Sequence, residues 1–194
     1  MLGEKMDYEV ILERNHSVCY HFTDGNYYPT DSSEEEPVAI LGKILIGDKR
    51  IGSICLYELY NEGDVFDQCD SVSADCANIA EAICGKSGRI LSRYLSGESQ
   101  YEPVYILDQI EISKEYRNQG IGSTSIKNLL NMLNYQYGYG RTLFLCASDY
   151  ESSARYGFDS DEYKNGKKRL IRFYKRIGFR VVKDNIMVLN KKDD

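Results

Sequence analysis

The chain has 194 residues, of which 42% are hydrophobic and 28% are charged, so it is long enough to bury the core of one globular domain. Its formal net charge of −6 argues against a general nucleic-acid-binding protein and favours a cationic substrate or partner. No apolar run approaches the ~18 residues of a membrane-spanning helix, and the N-terminus lacks the apolar stretch of a signal peptide. We therefore expect a cytoplasmic protein that contacts no membrane.

The six cysteines and two histidines do not have the spacing of a metal site. No Cys-x-x-Cys pair occurs, and His16 and His21 both lie near the N-terminus. We expect no metal, and free thiols in a reducing compartment. Three cysteines are spaced seven and eight residues apart, which predicts buried small side chains on one side of a helix: Cys69, Cys76 and Cys84.

The N-terminal third is predicted to form strands. Residues 6–22 alternate apolar and polar side chains, residues 23–37 have the composition of an exposed acidic loop, and residues 38–46 and 50–57 flank a short polar turn, which indicates a hairpin. The candidate inward-facing residues of the first segment are Val10, Leu12, Val18, Tyr20 and Phe22.

Residues 64–95 change from a strand pattern to a helical one. Small and apolar residues recur at helical spacing from Ala74 to Cys84, and residues 90–95 predict a second helix after the break at residues 85–88. Residues 80–87 also satisfy a permissive Walker A pattern that ends in Gly85-Lys86-Ser87, so a P-loop nucleotide triphosphatase is one alternative. A P-loop needs a strand before its glycine-rich loop, whereas a helical pattern precedes Gly85, which argues against this alternative.

A strand, a glycine-containing loop and a helix follow one another between residues 104 and 137. Residues 104–112 are rich in β-branched and aromatic side chains, which predicts a strand, and the loop Arg117-Asn118-Gln119-Gly120-Ile121-Gly122 follows. The first N–H groups of a helix lack intrahelical partners, and the helix dipole is positive there. Glycine permits close approach of a phosphate, and Arg117 adds a fixed charge, so this loop predicts a pyrophosphate cradle. The apolar stripe of the following helix consists of Ile126, Leu129, Leu130, Leu133 and Tyr137.

The C-terminal part predicts a strand over residues 142–147, a long polar connection over residues 148–166, a short helix ending at Gly178-Phe179, and a final hairpin. The order of elements predicts one mixed α/β domain over residues 1–194.

Two segments together resemble the GNAT N-acetyltransferase superfamily. The pattern Arg-x-x-Gly-x-Gly over residues 117–122 resembles its motif A, which binds the pyrophosphate of acetyl-CoA, and residues 170–179 resemble its motif B, a helix that carries a tyrosine and ends at Gly-Phe. The two motifs occur in the family order and cover residues 104–182. The resemblance implies a mixed α+β GNAT-like single domain: a mostly antiparallel twisted sheet, a splayed parallel strand pair at the cofactor cleft, and flanking helices. Residues 64–98 are then a helical insertion, while the family's usual helix pair between the first two strands is not visible.

The resemblance implies an acetyl-CoA-dependent N-acetyltransferase that transfers an acetyl group directly to a primary amine. The acceptor is expected to be a small-molecule or peptide amine and not a nucleic acid. A small amine, a peptide N-terminus, a protein lysine and an aminoglycoside all stay open, and so does a homodimer. The alternative within the same fold is a non-catalytic module that binds CoA or a partner.

The resemblance also implies roles for individual residues. Tyr174 aligns with the tyrosine that faces the sulfur and protonates the leaving thiolate. An amine with a pKa near 10.4 must lose a proton before it attacks, and Asp108 and Glu111 are the acids on the cleft strand that could accept it. Main-chain groups of Ile110, Glu111 and Ile112 are expected to pair with pantetheine. The pyrophosphate is assigned to Arg117, Asn118, Gln119, Gly120, Ile121, Gly122, Ser123 and Thr124.

Overall fold

A seven-stranded sheet organises the computed structural model, which describes residues 9–14, 20–23, 26–29, 37–61, 63–95, 103–137 and 142–190. The strands in these ranges are β1 (Glu9–Arg14), β2 (Tyr20–Thr23), β3 (Asn26–Pro29), β4 (Val38–Ile46), β5 (Lys49–Leu59), β6 (Val104–Ile112), β7 (Thr142–Cys146), β8 (Arg180–Lys183) and β9 (Ile186–Asn190). The sheet order is β1-β4-β5-β6-β7-β9-β8, and β2 and β3 form a separate hairpin. Among these pairs β6 and β7 run parallel and the others antiparallel. The predicted mixed α+β class is therefore confirmed.

Helices cover both faces of the sheet. The described helices are α1 (Val65–Asp70), α2 (Ala74–Ile83), α3 (Ile121–Tyr137), α4 (Tyr150–Tyr156) and α5 (Asp161–Ile177). One core cluster joins α3 and α5 to Tyr105 and Leu107 of β6, and the other joins α1 and α2 to Val104 and Ile106 of the same strand. Alternate side chains of a strand point to opposite faces, so the central strand contributes to both hydrophobic cores.

The parallel pair separates after only three residue pairs. Tyr105, Ile106 and Leu107 pair with β7, but β6 continues to Ile112 with no described strand beside it on that side. The predicted splayed parallel strands are therefore present. The open edge of β6 leaves main-chain groups available to an extended ligand.

A β-bulge lies where β6 leaves β7. Leu107 pairs with Leu56 and Gln109 pairs with Cys55, so Asp108 is the extra residue. The bulge shifts the side-chain alternation by one: Leu107 before it and Ile110 after it pack in the same core cluster. Asp108 consequently belongs to the face covered by α2.

Two predictions for residues 64–95 are wrong. Residues 90–95 form no second helix, because Ile90 makes an antiparallel bridge to Cys84 and only Ser92–Tyr94 makes a 3-10 turn. The turn at Gly85–Gly88 returns the chain to the core, so the apolar residues that follow it are buried without forming a helix. The three cysteines do not share a helix, since Cys69 lies in α1, Cys76 lies in α2 and Cys84 is the C-cap of α2. The P-loop alternative fails too, because α2 occupies the place where the strand is required.

The predicted polar connection over residues 148–166 is also wrong. It contains α4 and the first turn of α5, whose N-caps Asp149 and Ser160 each accept a hydrogen bond from a backbone N–H two or three residues into the helix. Both helical stretches are largely exposed, so their polar composition has the appearance of a loop.

The N-terminal predictions are tested in part. Val10 is buried as expected, and β3 lies inside the predicted acidic loop. The side chains of Leu12, Tyr20 and Phe22 and all of Val18 lie outside the described residues. No helix in the described ranges is long and apolar enough to cross a membrane.

Candidate active site

The loop between β6 and α3 has the backbone form of an anion cradle. After β6 a 3-10 turn spans Lys114–Tyr116, and the chain then takes positive φ values at Asn118 (63°) and Gly120 (81°). Asparagine and glycine are the residue types that tolerate this region. The two turns direct the chain into α3, whose first residue, Ile121, is buried.

The first N–H groups of α3 remain available. Thr124 N–H donates to the Gly120 carbonyl at 3.1 Å, and the Ser123 hydroxyl donates to the same oxygen at 2.7 Å. No described residue accepts a hydrogen bond from the N–H of Ile121, Gly122 or Ser123. A Cβ built on Gly120 would meet no heavy atom within 4 Å, so the space before the helix is open. Free donors and a positive dipole end favour an anion at this position.

Two cations of this loop are held by a carboxylate from α4. Glu151 accepts from Arg117 at 2.9 Å and pairs with Lys114 at 2.6 Å, while Arg117 Nε donates to the Ile112 carbonyl at 2.9 Å. The hydrogen bond from Lys114, followed by that from Arg117, lowers the pKa of Glu151 to about 2. Glu151 was not identified from the sequence, because it lies in the segment predicted to be a loop.

The other loop and strand residues predicted to bind the cofactor lie on the last part of β6 and on the loop that follows it. Gln119 donates from its side chain to the Glu115 carbonyl at 3.0 Å, so this side chain folds back onto the 3-10 turn that precedes the loop. Ile110 and Ile112 pack their side chains toward α3, and Glu111 is exposed. This stretch of β6 pairs with β5 on one side and has no described strand on the other, and the Ile112 carbonyl already accepts a hydrogen bond from Arg117.

Asp108 lies at the bulge beside a second acid. It is half-buried, and its pKa is raised first by burial and then by the carboxylate of Asp75 in the first turn of α2. Asp75 accepts a hydrogen bond from the Tyr150 hydroxyl at the start of α4. Neither Asp75 nor Tyr150 was identified from the sequence, because the two residues lie in separate helices that come together only in the folded protein.

Tyr174 lies on the α3 face of the sheet, opposite Asp108, near the junction where β6 separates from β7. Its side chain is 8% exposed and packs edge-on against Phe173 (5.0 Å) and Phe179 (5.4 Å). Burial, followed by the nearby Cys146 thiol, raises the pKa of Tyr174 to about 12. No described group hydrogen-bonds to its hydroxyl. Cys146, the last residue of β7, packs against the core cluster of the α2 face.

Comparisons with solved structures give distant similarities. The Bacillus subtilis N-acetyltransferase YlbP in complex with coenzyme A is 10% identical, with a TM-score of 0.41 over 79% of this chain and 69% of that one. AtaT complexed with acetyl-methionyl-tRNAfMet is 15% identical, with a TM-score of 0.42 over 79% and 72%. The KacTA–DNA complex is 14% identical, with a TM-score of 0.42 over 95% and 94%. The prediction that nucleic acid is not a partner receives no support from these complexes.

Sequence comparison, unlike these structural similarities, identifies the family of the chain. No curated protein sequence matches the chain significantly. The family described as "Acetyltransferase (GNAT) family" matches residues 8–179, which is most of the chain. The chain therefore belongs to the GNAT acetyltransferase family.

Proposed function

We propose that this protein is an acetyl-CoA-dependent N-acetyltransferase that acts on a primary amine. The proposal rests on the arrangement of residues at the junction where β6 separates from β7. The free N–H groups of α3 and the open edge of β6 lie beside the splayed strands, while Asp108 and Tyr174 approach from opposite faces. Such an arrangement suits a thioester held from one face and an amine entering from the other.

The residues present fit the cofactor. The backbone from Asn118 to Thr124 and the charge of Arg117 would hold the pyrophosphate, and the main chain of Ile110–Ile112 would pair with the pantetheine arm. When bound, acetyl-CoA supplies the activated acetyl group and leaves as a thiol. Arg117 must exchange the Glu151 carboxylate for phosphate oxygens, so the ion pair competes with binding.

Asp108 is the better candidate for the base. An amine is mostly protonated at neutral pH, and its proton must pass to a carboxylate or to water before the nitrogen attacks. A raised pKa makes a carboxylate a stronger base, and burial gives Asp108 this property. Glu111 is exposed and lies nearer the pyrophosphate loop, so we assign it no part in proton transfer.

Tyr174 is proposed to stabilise charge on the departing sulfur. A phenol with a pKa of about 12 is a much weaker acid than a thiol, which titrates near ~8.5. Complete transfer of its proton to the thiolate is therefore uphill. Its hydroxyl instead donates a hydrogen bond to the developing thiolate and retains its proton, and the released thiolate takes its proton from water. This refines the role that the motif implies.

The test combines binding and turnover. Acetyl-CoA should raise the melting temperature of the wild-type protein, because a ligand that binds only the native state stabilises it by mass action. Thiol release should then depend on one class of amine in a panel of small amines, peptides and aminoacyl conjugates. Stabilisation by acetyl-CoA without amine-dependent thiol release would instead indicate the non-catalytic CoA-binding module.

A further inference from the structure

The outer side of helix α5 carries an uninterrupted block of positive charge. Six of its exposed side chains are basic, and no acidic residue lies between Tyr163 and Ile177. They lie on the side of the helix opposite Phe173 and Tyr174, which pack in the core. The net charge of −6 is therefore an average that does not describe this side of the protein. We call these six residues the basic face: Lys164, Lys168, Arg169, Arg172, Lys175 and Arg176.

Neither ion pairing nor the helix dipole accounts for the basic face. Among the described residues, Arg169 is the one member in an ion pair, with Asp149 at 3.6 Å. The dipole favours cations in the last turn, whereas Lys168 and Arg172 lie in the middle of the helix. Like charges one turn apart repel each other and destabilise a helix. An anionic partner along the basic face would relieve this repulsion.

The spacing of the charges fits a single phosphodiester strand. Lys164, Lys168, Arg172 and Lys175 follow one another at steps of three or four residues, so they form one row with about one helical turn, ~5 Å, between neighbours. A row one residue wide can follow one backbone, whereas a duplex presents two backbones separated by a groove. RNA is the nucleic acid that proteins contact chiefly in its single-stranded segments.

A membrane surface fits the same helix less well. Amphipathic helices that bind a bilayer bury their apolar face among the lipids. The apolar side chains of α5, which include Leu170, Phe173 and Ile177, pack against the protein core instead. The charged side of α5 is thus available to a partner, and its apolar side is not.

The basic face begins beside the cofactor loop. A Cβ built on Gly122 would lie 3.5 Å from Phe173, so α5 packs against the start of α3. Arg169 pairs with Asp149, the N-cap of α4, and Glu151 in the first turn of α4 pairs with both cations of the cofactor loop. A strand bound along α5 would therefore reach the edge of this loop.

We infer that the basic face of α5 binds the phosphate backbone of single-stranded RNA. The inference goes beyond the proposed function, because it assigns a second binding surface that does not require CoA. The four cations of the row contact successive phosphates, and the arginines bind phosphate oxygens in a bidentate manner.

The test is fluorescence anisotropy with a labelled oligouridylate, on the full-length protein with and without saturating CoA. We expect a dissociation constant of about 10 μM or tighter at about 50 mM salt. Four phosphate contacts predict a slope of about −3 for the logarithm of the association constant against the logarithm of salt concentration. CoA should leave the affinity for RNA unchanged, because the two anions bind at different places.

Two charge reversals locate the surface. Lys168→Glu changes the middle of the row and should weaken RNA binding about fivefold or more. It places a carboxylate one turn from Lys164 and Arg172, so the melting temperature should be retained or rise. Lys86→Glu makes the same change at an exposed turn after α2 and should bind RNA as wild type does.

Each alternative outcome has a distinct meaning. Absence of RNA binding at low salt would overturn the inference, and so would an equal loss in Lys168→Glu and Lys86→Glu, because net charge alone would then explain it. Displacement of the RNA by CoA would place the RNA in the cradle and not on α5. Tighter binding to duplex DNA, to phosphatidylserine vesicles or to a polyglutamate peptide would overturn the inference in favour of that partner. Failure of CoA to bind, measured separately, would overturn the proposed function and leave this inference standing.

Discussion

Replacing Tyr174 with phenylalanine removes one hydroxyl and leaves the ring in place. Because the ring packs edge-on against Phe173 and Phe179 and the hydroxyl has no described partner, the core loses no hydrogen bond. We expect the melting temperature to change by less than ~2 °C, since ~1 kcal/mol corresponds to ~2–4 °C in a domain of this size.

The kinetic effect follows from the pKa of about 12, which makes Tyr174 a hydrogen-bond donor and not a proton donor to sulfur. A hydrogen bond to a charged group is worth ~1.5–3 kcal/mol. At ~1.4 kcal/mol for each factor of ten, Tyr174→Phe should lower kcat by about 10- to 150-fold. The KM for acetyl-CoA should stay nearly constant, because the interaction forms as charge develops on the sulfur.

The assay is continuous thiol release at saturating acetyl-CoA and acceptor. Tyr163→Phe is the matched control, since Tyr163 lies in the same helix and has the same 8% exposure, but belongs to neither core cluster. Unchanged kcat in Tyr174→Phe, measured with an active acceptor, would contradict a role for this hydroxyl in turnover. An equal loss in Tyr163→Phe would show that the effect comes from α5 as a whole.

Three further predictions concern the cradle, the base and the ion pair. Gly120→Ala should lower the free energy of unfolding by ~1–2 kcal/mol in denaturant and weaken CoA binding, because φ is 81° at this residue. Gly122→Ala should have a milder effect, because its Cβ would lie at ordinary contact distance, 3.5 Å from Phe173. Asp108→Asn should abolish most turnover yet raise the melting temperature at pH 7. The raised pKa of Asp108 means that the folded protein binds its proton more tightly, so stability is lost as pH rises through that pKa, and the mutant's advantage should vanish below about pH 4. Glu151→Gln should tighten CoA binding about two- to fivefold in calorimetry at low salt, because it releases Lys114 and Arg117 from their ion pairs. Weaker binding would show that Glu151 positions the loop instead of competing with phosphate.

Local patterns account for what the sequence predicted well. Strand β6 and helix α3 have regular apolar repeats, and the Gly-Phe stop of α5 is a local signal that the structure reproduces with Gly178 in the left-handed region. Helix α4 was missed because it is short, exposed and polar, so it lacks an apolar stripe. The predicted helix over residues 90–95 does not form, because Ile90 bridges to Cys84 and the apolar residues are buried from an extended backbone instead.

The site was less predictable than the fold for a physical reason. The cradle is contiguous in sequence, so its backbone form could be anticipated from the glycines and the following helix. The bulge at Asp108 depends on the register with β5, and the contacts of Asp75 and Glu151 join segments far apart in the chain. Composition and periodicity carry no information about such pairs.

Calorimetric titration with CoA tests whether the start of α3 holds the pyrophosphate of acetyl-CoA. Wild type should bind with a micromolar dissociation constant, and Arg117→Glu should weaken binding by about 100-fold or more, because it places a carboxylate against the pyrophosphate. Arg172→Glu makes the same charge reversal on the exposed surface of α5 and should bind CoA as wild type does. CoA affinity in Arg117→Glu equal to that of wild type would contradict the assignment of the cradle.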